Sequence, residues 1–138
     1  MMTLGEKLKN ILAEQMDAER AKRRAAEEAA AIFRAKQRAE RTELVSRIGT
    51  TIDTALRAGR IPLYKIYGTD QRSWINSCRR YETRGITDLD LWDNMIAWLR
   101  IEGLRIKVTE GWEGDGSRDW LEVSVELLPD QRSKPTEG

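Results

Sequence analysis

The chain of 138 residues contains no histidine and a single cysteine, Cys78. Without histidine it lacks the commonest metal ligand and the usual proton carrier at neutral pH, so we expect no zinc or haem site. One cysteine excludes an internal disulfide, and without a histidine base that cysteine is a poor candidate nucleophile. We therefore expect Cys78 to be a buried reduced thiol, and the protein to have no catalytic residue, no metal and no cofactor.

Long hydrophobic runs and a strong net charge are absent as well. No apolar run approaches the roughly 18 residues of a membrane span, and the N-terminus lacks the apolar core of a signal peptide, so we expect no membrane contact. The formal net charge is +1, but residues 1–60 carry 13 Lys/Arg and 9 Asp/Glu, whereas residues 61–138 carry 11 and 14. This asymmetry can orient a molecule on a partner or on its own copies, yet it is too mild to indicate nucleic acid.

Aromatic residues are scarce in the first part of the chain. The five tryptophans and three tyrosines all follow residue 63, and Phe33 is the only aromatic residue before it. A core therefore cannot form in the first forty or so residues alone. We predict an extension over residues 1–43, a compact body over residues 44–128 and a flexible polar tail over residues 129–138.

Proline is absent before Pro62, and the segment from Thr3 to about Ala58 is rich in Ala, Glu, Arg, Lys and Leu. These residues predict one nearly continuous helix, ended by Gly59 and Pro62. A seven-residue spacing of apolar residues runs along it, but the companion positions are mostly polar, so a coiled-coil-like contact is weakly encoded. The predicted helix-assembly seam consists of Leu4, Leu8, Ile11, Ala18, Ala25, Ile32 and Ala39.

The body is predicted to combine helices with strands. The segment IPLYKIYG, residues 61–68, reads as an edge strand, and a helix follows over residues 70–84 with Trp74, Cys78 and Tyr81 on one face. Thr87 is predicted to cap the next helix through its hydroxyl. Inward residues of that helix are Leu89, Trp92, Ile96 and Leu99.

Alternating apolar residues in LRIKV and WLEVSVEL, separated by the turn sequence GWEGDGSRD, predict a C-terminal β-hairpin with one buried face. The fold class is therefore α+β: a long N-terminal helix, then a small helical body with a C-terminal hairpin. From residue 44 the order is helix, short strand, helix, helix, strand, glycine-rich loop, strand. This order, together with the turn LRIEGLRIKV, resembles the winged-helix variant of the helix-turn-helix fold over about 85 residues.

The resemblance implies a third helix that enters the DNA major groove and a wing that touches the backbone or minor groove. Asp88, Asp90 and Asp93 open the third helix here, and carboxylates at that place would repel phosphate. Winged-helix modules also dock on proteins, and this sequence favours that use. Helix-start electrostatics account for the three aspartates without a catalytic role.

Two charged groups in the body are candidate contact sites. The first is a basic cluster that consists of Arg72, Arg79, Arg80 and Arg84. We favour the interpretation that these arginines simply solvate one face of a helix; the alternative is that they contact nucleic acid. The hairpin loop carries a candidate acidic docking face at Glu113, Asp115 and Asp119. Its spacing is similar to the start of a calcium loop, but Ser124 stands where the twelfth-position glutamate is needed, which favours an ordinary turn.

The function that the sequence favours is that of a non-enzymatic structural or adaptor protein. In this hypothesis the body docks on a protein partner, and the N-terminal helix packs on other copies or another subunit. In overall style the chain is similar to small accessory and virion proteins of tailed bacteriophages, which implies a cytoplasmic or virion location. The alternatives are a nucleic-acid-binding winged-helix-like regulator and an inhibitor that binds a host protein through its acidic surface.

Overall fold

A computed structural model of the chain describes residues 1–80, 86–113 and 119–129. The predicted α+β class is confirmed, with one long N-terminal helix, two further helices and a three-stranded antiparallel sheet in the described part. The elements are α1 (Leu4–Arg57), β1 (Tyr64–Ile66), α2 (Thr69–Arg79), α3 (Leu89–Ile101), β2 (Leu104–Trp112) and β3 (Asp119–Leu127).

The chain divides into two compact units, Met1–Ala39 and Glu40–Gly138. The boundary predicted from the sequence, between residues 43 and 44, lies a few residues later. In the first unit every residue except Gln37 is exposed. Helix formation there depends on local terms: strong helix formers, and a first turn in which the Thr3 hydroxyl accepts a hydrogen bond from Glu6 N at 3.2 Å.

The second unit begins within α1, whose C-terminal part buries one face. Leu44, Ile48 and Ile52, spaced four residues apart, lie on one side of the helix and are almost fully buried. The helix ends as the sequence predicts, because Gly59 adopts a positive φ of 73° and Arg60 N donates to Ala55 O at 2.8 Å. Such a left-handed residue satisfies carbonyl groups of the last turn.

The sheet has the order β1-β3-β2, with both pairs antiparallel. The predicted hairpin is present as β2 and β3, and the predicted edge strand is present as β1, but β1 pairs over only three residues. Pro62 has no N–H to donate to a ladder, and its carbonyl accepts a hydrogen bond from the Ser124 hydroxyl at 2.6 Å instead. Pairing therefore begins only at Tyr64.

Helices α2 and α3 close the core against the inner face of the sheet and the buried face of α1. Three of the predicted core residues of these helices are buried, Trp74, Trp92 and Leu99, together with Cys78. Ile75 and Met95 are also buried, although the sequence analysis did not place them in the core. The predicted helix end at Arg84 is wrong, because α2 ends at Arg79 and Arg80 is its C-cap. Tyr81 and Arg84 themselves lie outside the described part of the chain.

The predicted cap at Thr87 is wrong. Asp88 is the N-cap residue of α3; it has a left-handed backbone with φ of 59°, and no side-chain hydrogen bond closes the cap. The Thr87 hydroxyl instead accepts a hydrogen bond from Arg41 Nη1 on α1. The hydroxyl oxygen that the sequence pattern assigned to a backbone N–H of α3 is therefore used in a tertiary contact with α1.

Candidate functional site: an exposed helical row and a cationic groove

The N-terminal part of α1 carries a row of large apolar side chains that the structure leaves uncovered. Leu4, Leu8, Leu12 and Met16 are spaced four residues apart, Ile11 lies beside them, and all five are between 51% and 82% exposed. We call these five residues the N-terminal row. All seven residues of the predicted seam are likewise exposed on α1.

The geometry of this row differs from that of the predicted seam. Residues four apart on an α-helix are offset by about 40°, so the row winds around the helix as an i±4 ridge. Ridges of this kind pack into the grooves of a helix that crosses them at an angle, whereas a seven-residue seam suits a long coiled coil. Counting by sevens missed Leu12 and Met16; the signal that identifies them is the spacing of four.

A second surface lies on the body, where the end of α2, α3 and β2 enclose a groove of about 510 Å3. Four cationic side chains line it, Arg79, Arg100, Arg105 and Lys107, and we call it the cationic groove. One carboxylate, Glu126, also lines it. The apolar part of the lining consists of Trp92, Ile96, Ile106, Val108, Leu128 and Pro129.

The cations of the groove are unequally engaged. Arg105 Nε lies 2.6 Å from Glu126 Oε1, so those two charges compensate each other. Arg79 donates to Asn76 Oδ1 at 3.0 Å and to the Val108 carbonyl at 3.2 Å, both neutral acceptors. The side chains of Arg100 and Lys107 are exposed and have no hydrogen-bond or ion-pair partner among the described residues. The groove therefore keeps a positive charge.

The groove also borders an edge of the sheet that pairs with no other strand among the described residues. Gly103 O accepts a hydrogen bond from Leu128 N, so Gly103 and the residues at every second position after it face β3. The alternate residues Ile106 and Val108 then direct their N–H and C=O groups away from β3. The contact of Arg79 with Val108 O agrees with this orientation. β2 is thus an edge strand whose open side faces the groove.

Of the basic residues singled out in the sequence, only Arg79 lines the groove. Arg72 turns to the start of α2, where its Nε donates to Tyr67 O at 3.2 Å. Arg80 is exposed immediately after α2, and Arg84 lies outside the described residues. The groove thus brings Arg79 together with cations of α3 and β2 that the sequence analysis did not single out, whereas Arg72 and Arg80 are not among its lining residues.

Two residues of the predicted acidic docking face lie where the hairpin strands meet their connecting loop. Glu113 follows β2 and Asp119 begins β3; both are exposed. The register pairs Asp119 with Trp112, whose side chain is also exposed. Asp115 lies outside the described residues.

A half-buried ion pair fastens α1 to the start of α3. Arg41 Nη1 lies 3.0 Å from Asp88 Oδ2, and the two side chains are each 12% exposed. The Arg41 guanidinium also lies 5.1 Å from the centre of the Trp74 ring, a cation–π distance. Trp74 Nε1 in turn donates to Thr87 O at 2.8 Å. Asp88, one of the three aspartates that open α3, is therefore occupied by a structural contact.

Cys78 is buried in the core, as the sequence predicts. Burial raises the pKa of its thiol to about 11, an effect that the nearby Arg41 charge opposes only in part. At neutral pH the side chain is thus a protonated thiol without nucleophilic character.

No group of three or more cysteine, aspartate or glutamate side chains in residues 1–80, 86–113 and 119–129 could hold a metal ion. None of the described helices is both long and apolar enough to cross a membrane.

Comparison with protein-family models, with curated proteins and with solved structures found no match to this chain.

Proposed function

We propose that the protein is a non-enzymatic structural or adaptor protein that acts through protein–protein contacts, with the N-terminal part of α1 mediating assembly. The single observation that carries this proposal is the N-terminal row. Five large apolar side chains lie close together near the N-terminus of α1, and all five are exposed. An apolar strip of that kind is typical of a helix that packs against another element.

A rough estimate sets the strength of the contact. Full burial of five such side chains contributes on the order of 7 to 15 kcal/mol at roughly 1.5 to 3 kcal/mol each. Association itself costs an estimated 4 to 15 kcal/mol or more. The row alone therefore supports a modest affinity, which suits a subunit held by several contacts in a larger assembly.

The occupant that we propose for the row is a helix that crosses α1, supplied by a second copy or by another subunit. Such a role fits an accessory component of a multi-subunit particle, and a virion or cytoplasmic location follows from it. The body, which we propose to be a winged-helix-like docking module, would then present its own surface to a further partner.

The test is the mass in solution, measured by light scattering over a range of concentrations. We expect the intact protein to exceed its chain mass of 15.9 kDa as the concentration rises. Leu8→Glu combined with Leu12→Glu should restore the monomer, because it places two charges within the row. A matched control is Asn10→Glu combined with Ala21→Glu, since both positions lie on the opposite face of the helix.

A monomer at every concentration would overturn self-association through the row. Equal loss of assembly in the control variant would show that added negative charge, and not the row, is responsible.

The cationic groove favours the second candidate function, nucleic-acid binding, more than the sequence alone did. It gathers four cations against one carboxylate, and Asp88 at the start of α3 is neutralised by Arg41. Binding through phosphate contacts weakens as the salt concentration rises. Competition between a thymidine oligonucleotide and a peptide for the groove tests this second function.

A further inference from the structure

We propose that the cationic groove binds an extended acidic segment of a partner protein, which adds as a strand to the free edge of β2. This inference goes beyond the proposed function, because it assigns a second docking surface in the body, with its own kind of ligand.

The edge supplies main-chain hydrogen bonds. Ile106 and Val108 direct their backbone groups toward the groove, and the described residues offer them no backbone partner on that side. Of these backbone groups, Val108 O accepts a hydrogen bond from the Arg79 guanidinium at 3.2 Å. An added strand can displace one guanidinium without breaking any pair within the sheet, which is the ordinary way in which extended peptides join a sheet edge.

The side chains around the edge select the sequence of that strand. Successive residues of a strand point to opposite faces. On one face of β2 stand Arg105 and Lys107, whereas on the other face Ile106 and Val108 turn toward Ile96 of α3. A segment that alternates acidic and apolar residues therefore places carboxylates beside the cations and apolar side chains over the apolar lining.

The charge of the groove suits an acidic ligand. The side chains of Arg100 and Lys107 have no described partner, and each can donate hydrogen bonds to a carboxylate. Glu126, which also lines the groove, is paired with Arg105. A nucleic acid has no backbone N–H and C=O groups in the spacing of a strand, so the edge of β2 favours a peptide over a nucleic acid.

The experiment measures the fluorescence anisotropy of a labelled octapeptide of alternating glutamate and valine, titrated with the full chain. We expect saturable binding, and none for the matching peptide of alternating lysine and valine. Arg100→Glu combined with Lys107→Glu should weaken binding at least tenfold; both positions are exposed, so folding should be unaffected. Lys22→Glu combined with Arg24→Glu, the same charge change on α1, is the control and should bind as the wild type does.

Strand addition has its own readout. Because alternate N–H groups of a strand face the same edge, N-methylation of the valines and N-methylation of the glutamates should differ: one peptide should lose binding and the other should keep it. Equal binding by the two peptides would overturn strand addition.

Three other results would also overturn the proposal. They are the absence of peptide binding, binding that the Arg100 and Lys107 replacements leave unchanged, and displacement of the peptide by a thymidine oligonucleotide at lower concentration than by unlabelled peptide. The last result would assign the groove to nucleic acid. Light scattering reports on the N-terminal row alone, so failure of this proposal and failure of the proposed function are distinguishable.

Discussion

Two stretches of α1 carry the same pattern and meet different surroundings. Near the N-terminus, leucines and a methionine recur every fourth residue from Leu4 to Met16, and all are exposed. In the body, Leu44, Ile48 and Ile52 recur at the same spacing, and all are buried. The buried row shows what such a ridge does when a partner is available: it packs against other elements and supports a core. By analogy with the buried row, our proposal treats the exposed row as a packing surface for another chain.

The same substitution in the two rows should have very different costs. Leu44→Ala should lower the free energy of unfolding by roughly 2 to 4 kcal/mol, because it opens a cavity in the core. Leu12→Ala should change it by less than about 0.5 kcal/mol, as expected for an exposed position, and should weaken assembly instead. Urea denaturation followed by tryptophan fluorescence measures the first effect, and light scattering measures the second.

A similar loss in the free energy of unfolding for Leu44→Ala and Leu12→Ala in the monomer would contradict this difference between the two rows. It would mean that the N-terminal row is already packed within one chain.

Two arginines in the body part of α1 form ion pairs that differ in burial. Arg41 and Asp88 are each 12% exposed, whereas Arg47 and Glu43 are 63% and 62% exposed. Arg41→Ala leaves a half-buried carboxylate without its cation, so we expect a loss of roughly 1 to 3 kcal/mol. Arg47→Ala should cost less than about 0.5 kcal/mol, the usual range of an exposed pair four residues apart. Thermal unfolding of both variants at the same pH and salt concentration checks the ranking, which a larger effect of Arg47 would contradict.

Two glycines of the same helix give the smallest expected difference. A Cβ at Gly49 would meet Trp98 Cζ3 at 3.9 Å, an ordinary contact, so Gly49→Ala should stabilise the body by about 0.5 to 1 kcal/mol through helix propensity. Gly5→Ala should raise the helical ellipticity slightly and leave the unfolding of the body unchanged, since Gly5 belongs to the first unit. A shift of the fluorescence transition by Gly5→Ala would show that the two units unfold together.

Local chemistry made the elements predictable from the sequence. The long helix follows from a segment without proline that ends at Gly59, and the hairpin follows from two alternating segments around a glycine-rich turn. The core positions were predictable in part, because Met95 and Ile75 become buried only through contacts with other elements. The Thr87 cap failed for the same reason, since Arg41, far away in the sequence, takes its hydroxyl.

The two candidate surfaces were predictable to different degrees. Every residue of the N-terminal row lies within thirteen positions, so its spacing is visible in the sequence, although counting by sevens obscured part of it. The cationic groove brings together Arg79, Arg100 and Lys107 from three elements. Their proximity depends on how α2, α3 and β2 pack, and no local pattern encodes it. Of the basic residues grouped with Arg79 in the sequence, Arg72 instead contacts Tyr67 O at the start of α2.

The placement of the aromatic residues divides the optical signals of the molecule. All five tryptophans belong to the body, and Trp92 is buried where it borders the cationic groove, whereas the first unit contains no tryptophan. Tryptophan emission therefore reports on the body and not on the N-terminal helix, and we expect a ligand in the groove to change it. Far-ultraviolet ellipticity, by contrast, is dominated by α1, which accounts for most of the described helical residues. Tryptophan emission thus follows changes in the body, and far-ultraviolet ellipticity follows mainly changes in α1.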